Sequence, residues 1–118
     1  MTNFVVPGPP IPKARPRMAL SGHVFTPKRT RDYERAVALC ACGAGLRTPL
    51  DGAVSVTLRL FLANRRRCDI DNLTKSVLDG LNGIAYADDS QVQILHVSRN
   101  IDAANPRAEI EITTVKGV

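Results

Sequence analysis

Carboxylates are concentrated in one part of this chain. Five of the eleven acidic residues fall between positions 69 and 89: Asp69, Asp71, Asp79, Asp88 and Asp89. Clustered carboxylates repel one another unless a cation lies among them. Oxygen ligands of this kind suit Mg²⁺, or Mn²⁺ in its place. The cluster therefore predicts a divalent metal site, which can polarise a phosphodiester and lower the pKa of a bound water.

A lysine lies inside the same stretch. Asp69 and Asp71 are two positions apart, so in an extended chain they project to the same side. Lys75 follows Asp71 by four residues and shares its face if a helix begins here, and Asp79 can pair with Lys75 one turn later. Lys75 can then neutralise the charge that develops when a phosphodiester is hydrolysed.

Each acidic residue also has a structural interpretation. Asp69 and Asp71 can cap a helix, Asp79 can be an ion-pair partner, and the later acidic pair can belong to a polar loop. Taken singly, these interpretations are the more common ones. The combination of the carboxylates with Lys75 favours the metal site.

The carboxylates lie in a basic protein. The net charge is +5 and the isoelectric point is about 9.6, which favours a polyanionic partner, nucleic acid ahead of an anionic membrane surface. Three arginines directly precede the acidic cluster. Earlier in the chain, a proline-rich arm places three cations at alternate positions on one face, although a solvated arm fits the pattern equally well. The predicted DNA-binding residues are Lys13, Arg15, Arg17, Arg65, Arg66 and Arg67.

Several other classes of protein are disfavoured. Aromatic residues make up 4% of the chain and Trp is absent, so a stacking platform for single-stranded bases is poorly supplied. Three cysteines without a C-x-x-C pair fit neither a disulfide framework nor a zinc site, and they are typical of the cytoplasm. We expect no nucleotide cofactor, because the phosphate-binding loop motif is missing, and no membrane segment or signal peptide.

Periodicity predicts two helices. Apolar residues recur at helical spacing over 26–46, where Thr26 is the expected N-cap, Pro27 the first helical residue, and glycines end the helix. The same spacing recurs over 70–84 and continues the acidic cluster into a second helix.

Alternation of apolar and polar residues predicts the strands. One strand covers 52–64 with a single buried face, and residues 91–102 and 107–115 are expected to form an antiparallel pair. A short hairpin is expected over 18–25. The resulting order predicts an α/β (α+β) fold of two layers, a mixed β-sheet with two main helices, in a single domain over 1–118.

The segment RRRCDIDNLTKSVLDGLNGIAYADDSQV closely resembles the signature region of the RusA family of Holliday junction resolvases of bacteria and phage. The family pattern is a group of basic residues, D-x-D-N-x-x-K, a helix, and D-D-x-Q-[IV], and every part is present. The early blocks VPGPPIPKARPR and VFTPKRTRDYE are similar to the start of phage-type members. The resemblance covers roughly residues 4–114.

The resemblance implies a RusA-like fold and a symmetric homodimer that cuts four-way junction DNA with Mg²⁺ or Mn²⁺. By match to the motif, Asp69, Asp71 and Asp89 bind the metal, and Lys75 completes the catalytic set. Cys68 stands where the family often has a basic residue, which weakens one phosphate contact at most.

Two further motif positions, Asn72 and Asp88, are expected to support the metal ligands. The predicted function is a metal-dependent endonuclease that resolves Holliday junctions in DNA recombination and repair, in the cytoplasm of a bacterial host or a phage-infected cell. Two alternatives stay open at this point: a non-catalytic protein that binds branched DNA, and a metal nuclease that acts on flaps or other branched nucleic acid.

Overall fold

A computed structural model describes residues 1–65 and 68–116 of the chain. A four-stranded mixed sheet carries two helices on one face, and a two-stranded hairpin lies beside it, which confirms the predicted α+β class. The elements are β1 (Thr2–Pro7), β2 (Arg17–Met18), β3 (Val24–Phe25), α1 (Lys28–Gly43), β4 (Val54–Leu62), α2 (Ile70–Leu81), a short 3₁₀ helix (Asp89–Gln91), β5 (Val92–Ile101) and β6 (Arg107–Thr114).

Strand β4 forms the centre of the core. Its alternate residues are all buried, as the sequence pattern predicted: Val54, Val56, Leu58, Leu60 and Leu62. The sheet order is β1-β6-β4-β5, so β4 has a neighbour on each side. A strand in this position buries one face against the helices, which is why its sequence alternates so regularly.

The predicted antiparallel pairing of the last two strands is wrong, because β4 lies between them. β5 runs parallel to β4, whereas β6 runs antiparallel to both β4 and β1. The connection from β4 to β5 passes through α2 and returns the chain to its starting end, which makes the two strands parallel. Alternation indicates which face of a strand is buried, but it does not indicate the neighbouring strand.

Both predicted helices are present, with a small change at the first boundary. α1 begins at Lys28 and has Pro27 as its N-cap without a side-chain cap, so the expected capping by Thr26 is wrong by one position. The glycine ending is confirmed, since α1 ends at Gly43. The hairpin is confirmed as well, and its turn includes Gly22 at φ +85°, where glycine avoids the steric cost of a side chain.

The two helices pack closely on each other. A Cβ added at Gly80 of α2 would lie 2.8 Å from the backbone oxygen of Glu34 and 2.9 Å from the Cβ of Val37, both on α1. Only a residue without a side chain permits this approach. The contact fixes α2 against α1 and therefore fixes the position of the residues that α2 presents.

The helical layer does not extend over β5. Leu95 and Ile101 are 42% and 49% exposed, although they share a sheet face with the buried residues of β4. Within the described residues β5 pairs with β4 alone, so it forms one edge of the sheet.

Candidate active site

The start of α2 separates the first two predicted metal ligands. Asp69 is the N-cap and has an extended backbone, whereas Asp71 lies in the first turn of the helix. The two side chains consequently line different cavities. The helix begins between them, so the two residues do not share the extended segment on which the expectation rested, and binding of one ion by both stays a prediction.

One of these cavities, which we call the acidic cavity, brings together three of the predicted catalytic residues. It has a volume of about 410 Å³. α2 contributes two charged residues spaced by one turn, and the 3₁₀ helix contributes a third from a distant part of the sequence. Apolar side chains from α2 and β5 complete the lining. The residues on which the argument rests are Asp71, Lys75, Asp89, Ile70, Leu95 and Val97.

The turn that carries Asp89 is fixed by hydrogen bonds. The carboxylate of Asp88 accepts from the backbone N–H of Ser90, and the side-chain oxygen of Gln91 accepts from the backbone N–H of Asp88. The bonds from Ser90 lower the pKa of Asp88. Gln91 also donates to the backbone oxygen of Leu50, which ties the turn to the loop before β4. Asp88 thus supports the turn from which Asp89 reaches the cavity.

Lys75 is available to a ligand. Asp79 pairs with Lys13, with Nζ and Oδ2 3.0 Å apart, so the predicted pairing of Asp79 with Lys75 is wrong. Among residues 1–65 and 68–116, the Lys75 ammonium has no carboxylate or carbonyl partner. Within the described ranges, the carboxylate of Asp71 accepts a single local hydrogen bond, from the backbone N–H of Asn72. A free ammonium and two carboxylates therefore line one cavity.

The lining of the acidic cavity is mainly apolar, and its two acidic residues are Asp71 and Asp89. Carboxylate oxygens are the ligands that a hard divalent cation prefers. Asp69 lies on the other cavity. In the part of the chain that the structure describes, no three His, Cys, Asp or Glu side chains lie close enough together to hold a metal ion. Binding of a metal by the complete set of Asp69, Asp71 and Asp89 stays a prediction.

The second cavity, which we call the cationic groove, lies between the proline-rich arm, the start of α1 and the start of α2. Its volume is about 460 Å³. The charged and polar residues of its lining are Lys13, Arg17, Arg29, Thr30, Asp69 and Asn72. The groove thus combines three cations with a single carboxylate.

The proline-rich arm is packed against both helices, so the alternative of a solvated arm is wrong. Ser76 of α2 donates through Oγ to the backbone oxygen of Ile11 at 2.6 Å. The backbone N–H of Lys13 donates to the backbone oxygen of Asn72, and that of Ala14 donates to Oγ1 of Thr30. These bonds satisfy backbone groups that an extended, proline-rich segment leaves without strand partners.

Lys13 joins the arm to both helices through ion pairs. Its Nζ lies 2.7 Å from the carboxylate of Glu34 and 3.0 Å from that of Asp79, and the side chain is only 19% exposed. Burial lowers the pKa of Lys13, but the hydrogen bonds from its ammonium to the two carboxylates outweigh burial and raise it above the usual value. The ammonium is therefore already neutralised inside the protein.

The other predicted DNA-binding residues differ in position. Arg17 lines the cationic groove, whereas Arg15 is exposed and lines neither cavity. Arg65 is exposed at the end of the segment that follows β4. Arg66 and Arg67 lie outside the described residues. DNA binding by this set stays a prediction, but the arm does not present its three cations as one row.

Two arginines with a place near the site were missed by sequence reasoning. Arg29 lines the cationic groove from the first turn of α1, and Arg99 of β5 donates to the backbone oxygen of Cys68, just before Asp69. The only sequence signal for Arg29 is the basic composition of the helix start. Arg99 gives no signal, because its partner is a backbone group 31 residues away.

Comparison with known proteins identifies the family. A family model described as Endodeoxyribonuclease RusA matches residues 7–113, so the chain belongs to the RusA endodeoxyribonuclease family, a family of Holliday junction resolvases. The chain is also 29% identical to the uncharacterized protein YqaN of Bacillus subtilis (strain 168), with 95% of each chain covered. No helix in the described ranges has the length and apolar character needed to cross a membrane.

Proposed function

We propose that this protein is a metal-dependent endonuclease that resolves Holliday junctions by paired nicks in DNA recombination and repair. The observation that carries the proposal is the convergence of Asp71, Lys75 and Asp89 on one cavity in a chain of this family. These residues come from two separate segments, and core packing alone does not require charged groups of both signs to meet there.

The three residues of the cavity have different roles in the proposed reaction. Asp71 and Asp89 hold a divalent cation through their carboxylate oxygens, and Asp69 is a further ligand by match to the family motif. When bound, the cation polarises the phosphodiester and activates a water. Lys75 lies one turn from Asp71 on the same helix, where its ammonium stabilises negative charge on the phosphate as the bond breaks. Arginines of the predicted DNA-binding set, among them Arg17 and Arg65, bind the neighbouring backbone phosphates.

A homodimer accounts for cutting in pairs. A four-way junction has two-fold symmetry, and a two-fold dimer places two identical sites at a fixed separation. The unpaired edge at β5 supports self-association, since a ten-residue edge strand with exposed Leu95 and Ile101 is a surface that monomers usually protect. By contrast, the opposite edge strand, β1, has six residues and ends at a proline. Light scattering should give twice the chain mass of 12.8 kDa.

The direct test is cleavage of a fixed four-way junction, beside a linear duplex and a flap of the same sequence, in Mg²⁺ and in EDTA. We expect symmetric nicks in the junction with Mg²⁺ and none in EDTA. Equal cutting of the flap would remove the junction as substrate and leave the nuclease. Binding of the junction without nicks would identify a non-catalytic binding protein, and cleavage in EDTA would exclude the metal.

A further inference from the structure

We infer that Arg17 and Arg29 together bind backbone phosphates of DNA in the cationic groove, on the opposite side of the α2 start from the acidic cavity. The inference rests on the proposed function and adds to it a defined path for the DNA strand. It also replaces the row of three cations on the arm with a pair formed by two different elements, the arm and α1.

The two guanidinium groups are free for a ligand. In the part of the chain that the structure describes, neither Arg17 nor Arg29 has a carboxylate or carbonyl partner, although both line the same groove. Other arginines are used internally: Arg59 pairs with Glu111, and Arg107 pairs with Asp102. Arginines that line one groove without an internal partner are suited to a phosphate, whose oxygens match the planar donor pattern of guanidinium.

The groove continues beyond a single phosphate. Arg29 also lines an adjoining cavity of about 280 Å³, together with Pro9 of the arm and Leu62 at the end of β4. Cys68 lines both cavities, so the two adjoin next to the residue before Asp69. The adjoining cavity, which Arg29 also lines, is the expected position of the next phosphate along the strand.

The ion pairs of Lys13 give the groove its shape. They attach the arm to α1 and α2, and Arg17, four residues further along the arm, lines the same groove. Lys13 is thus a positioning residue rather than a phosphate ligand. The two arginines also offset the repulsion between a phosphate and Asp69, the acidic residue of the groove lining.

Two matched pairs of variants test the inference. Arg29→Ala is compared with Arg31→Ala, which removes the same charge from the same exposed helix turn but lines neither cavity. Arg17→Ala is compared with Arg47→Ala, which removes an exposed arginine after α1 that lines neither cavity. The dissociation constants of a fixed four-way junction and of a linear duplex are measured in EDTA over a series of NaCl concentrations.

We expect Arg29→Ala and Arg17→Ala each to weaken binding roughly tenfold, as for the loss of a charge-assisted hydrogen bond. Each should also reduce the slope of log affinity against log salt by about one unit, while Arg31→Ala and Arg47→Ala leave it unchanged. Unchanged slopes for Arg29→Ala and Arg17→Ala, or equal losses in the two controls, would overturn the inference. If the wild type binds duplex and junction with equal affinity, only the claim of junction specificity is contradicted. The salt slopes measured on duplex still test the groove.

Discussion

The acidic cavity and the cationic groove lie on either side of the first turn of α2 and differ in the charge that they leave free. The acidic cavity presents two carboxylates and a free lysine. The groove presents two free arginines, while its lysine is neutralised by two carboxylates. The comparison indicates a division of work: the acidic cavity is equipped for chemistry on a phosphate and the groove for holding the strand.

The choice of cation in each region fits this division. A guanidinium offers several donors in a plane and recognises phosphate oxygens by geometry, which suits Arg17 and Arg29 to holding a strand. An ammonium is a compact point charge on a flexible side chain. Lys75 is therefore suited to stabilising the negative charge that shifts between phosphate oxygens during a reaction. Exchanging arginine for lysine in the groove should therefore impair binding of the strand, whereas exchanging lysine for arginine in the acidic cavity should impair the reaction.

Loss of the Lys75 ammonium should impair the reaction in the acidic cavity. We expect Lys75→Met to slow cleavage by roughly 100-fold, the usual effect of removing one group that stabilises transition-state charge. Junction affinity should change little, because the groove is intact. The measurement is single-turnover cleavage at saturating protein. Lys28→Met, which removes an exposed lysine paired with Asp32, is the matched control.

The close contact between α1 and α2 affects both regions, since α2 is their common wall. A methyl group at Gly80 would meet backbone and side-chain atoms of α1 at less than 3 Å, so Gly80→Ala should lower the free energy of unfolding by about 1–3 kcal/mol. Denaturant unfolding measures this value. Gly43→Ala, whose added methyl group meets nothing within 4 Å, should be neutral or slightly stabilising. Equal stability of the two variants would contradict the close packing.

The ion pairs of Lys13 should matter mainly for the groove. Lys13→Met leaves Glu34 and Asp79 half-buried without their cation, and we expect a loss of about 1–2 kcal/mol in the free energy of unfolding, between the values for exposed and buried pairs. Binding should weaken more than the rate of cleavage at saturation. Lys28→Met, which breaks an exposed pair, should cost almost nothing.

The contribution of Lys13 also has a defined pH dependence. Because its pKa in the folded protein lies above the usual 10.5, the ion pairs stabilise the fold fully below about pH 10.5 and lose this effect as the pH rises through the folded-state value. The difference in stability between the wild type and Lys13→Met should therefore shrink only in strongly alkaline solution. A difference that disappears near neutral pH would contradict the assignment.

Local patterns predicted the elements well. The alternation of β4 and the helical spacing of α1 and α2 depend on neighbours in sequence, and the structure confirms all three. The order of the strands depends on contacts between distant segments, which is why the pairing of β5 with β6 was predicted wrongly. The motif also predicted Asp71, Lys75 and Asp89, which line one cavity in the structure, and their catalytic roles stay a prediction.

Side-chain partners were harder to predict than elements. Lys13 and Asp79 are 66 positions apart, and nothing in the spacing of either residue indicates the other, whereas Lys75 lies at an obvious helical distance from Asp79. The helix begins between Asp69 and Asp71, and the two residues therefore line different cavities. Tertiary packing thus determines which charged side chains remain available to a ligand. The spacing of residues in the sequence does not indicate them.

The division of work between the two regions is tested most directly by Asp71→Asn, which removes one charge from the acidic cavity with almost no change in shape. The measurement is the single-turnover rate of junction cleavage in Mg²⁺, taken together with the dissociation constant for the same junction. We predict a loss of cleavage beyond roughly 100-fold, since a direct metal ligand should matter at least as much as its supporting partners. Junction affinity should be unchanged or tighter. Cleavage near the wild-type rate, or a loss of binding as large as the loss of cleavage, would contradict the division.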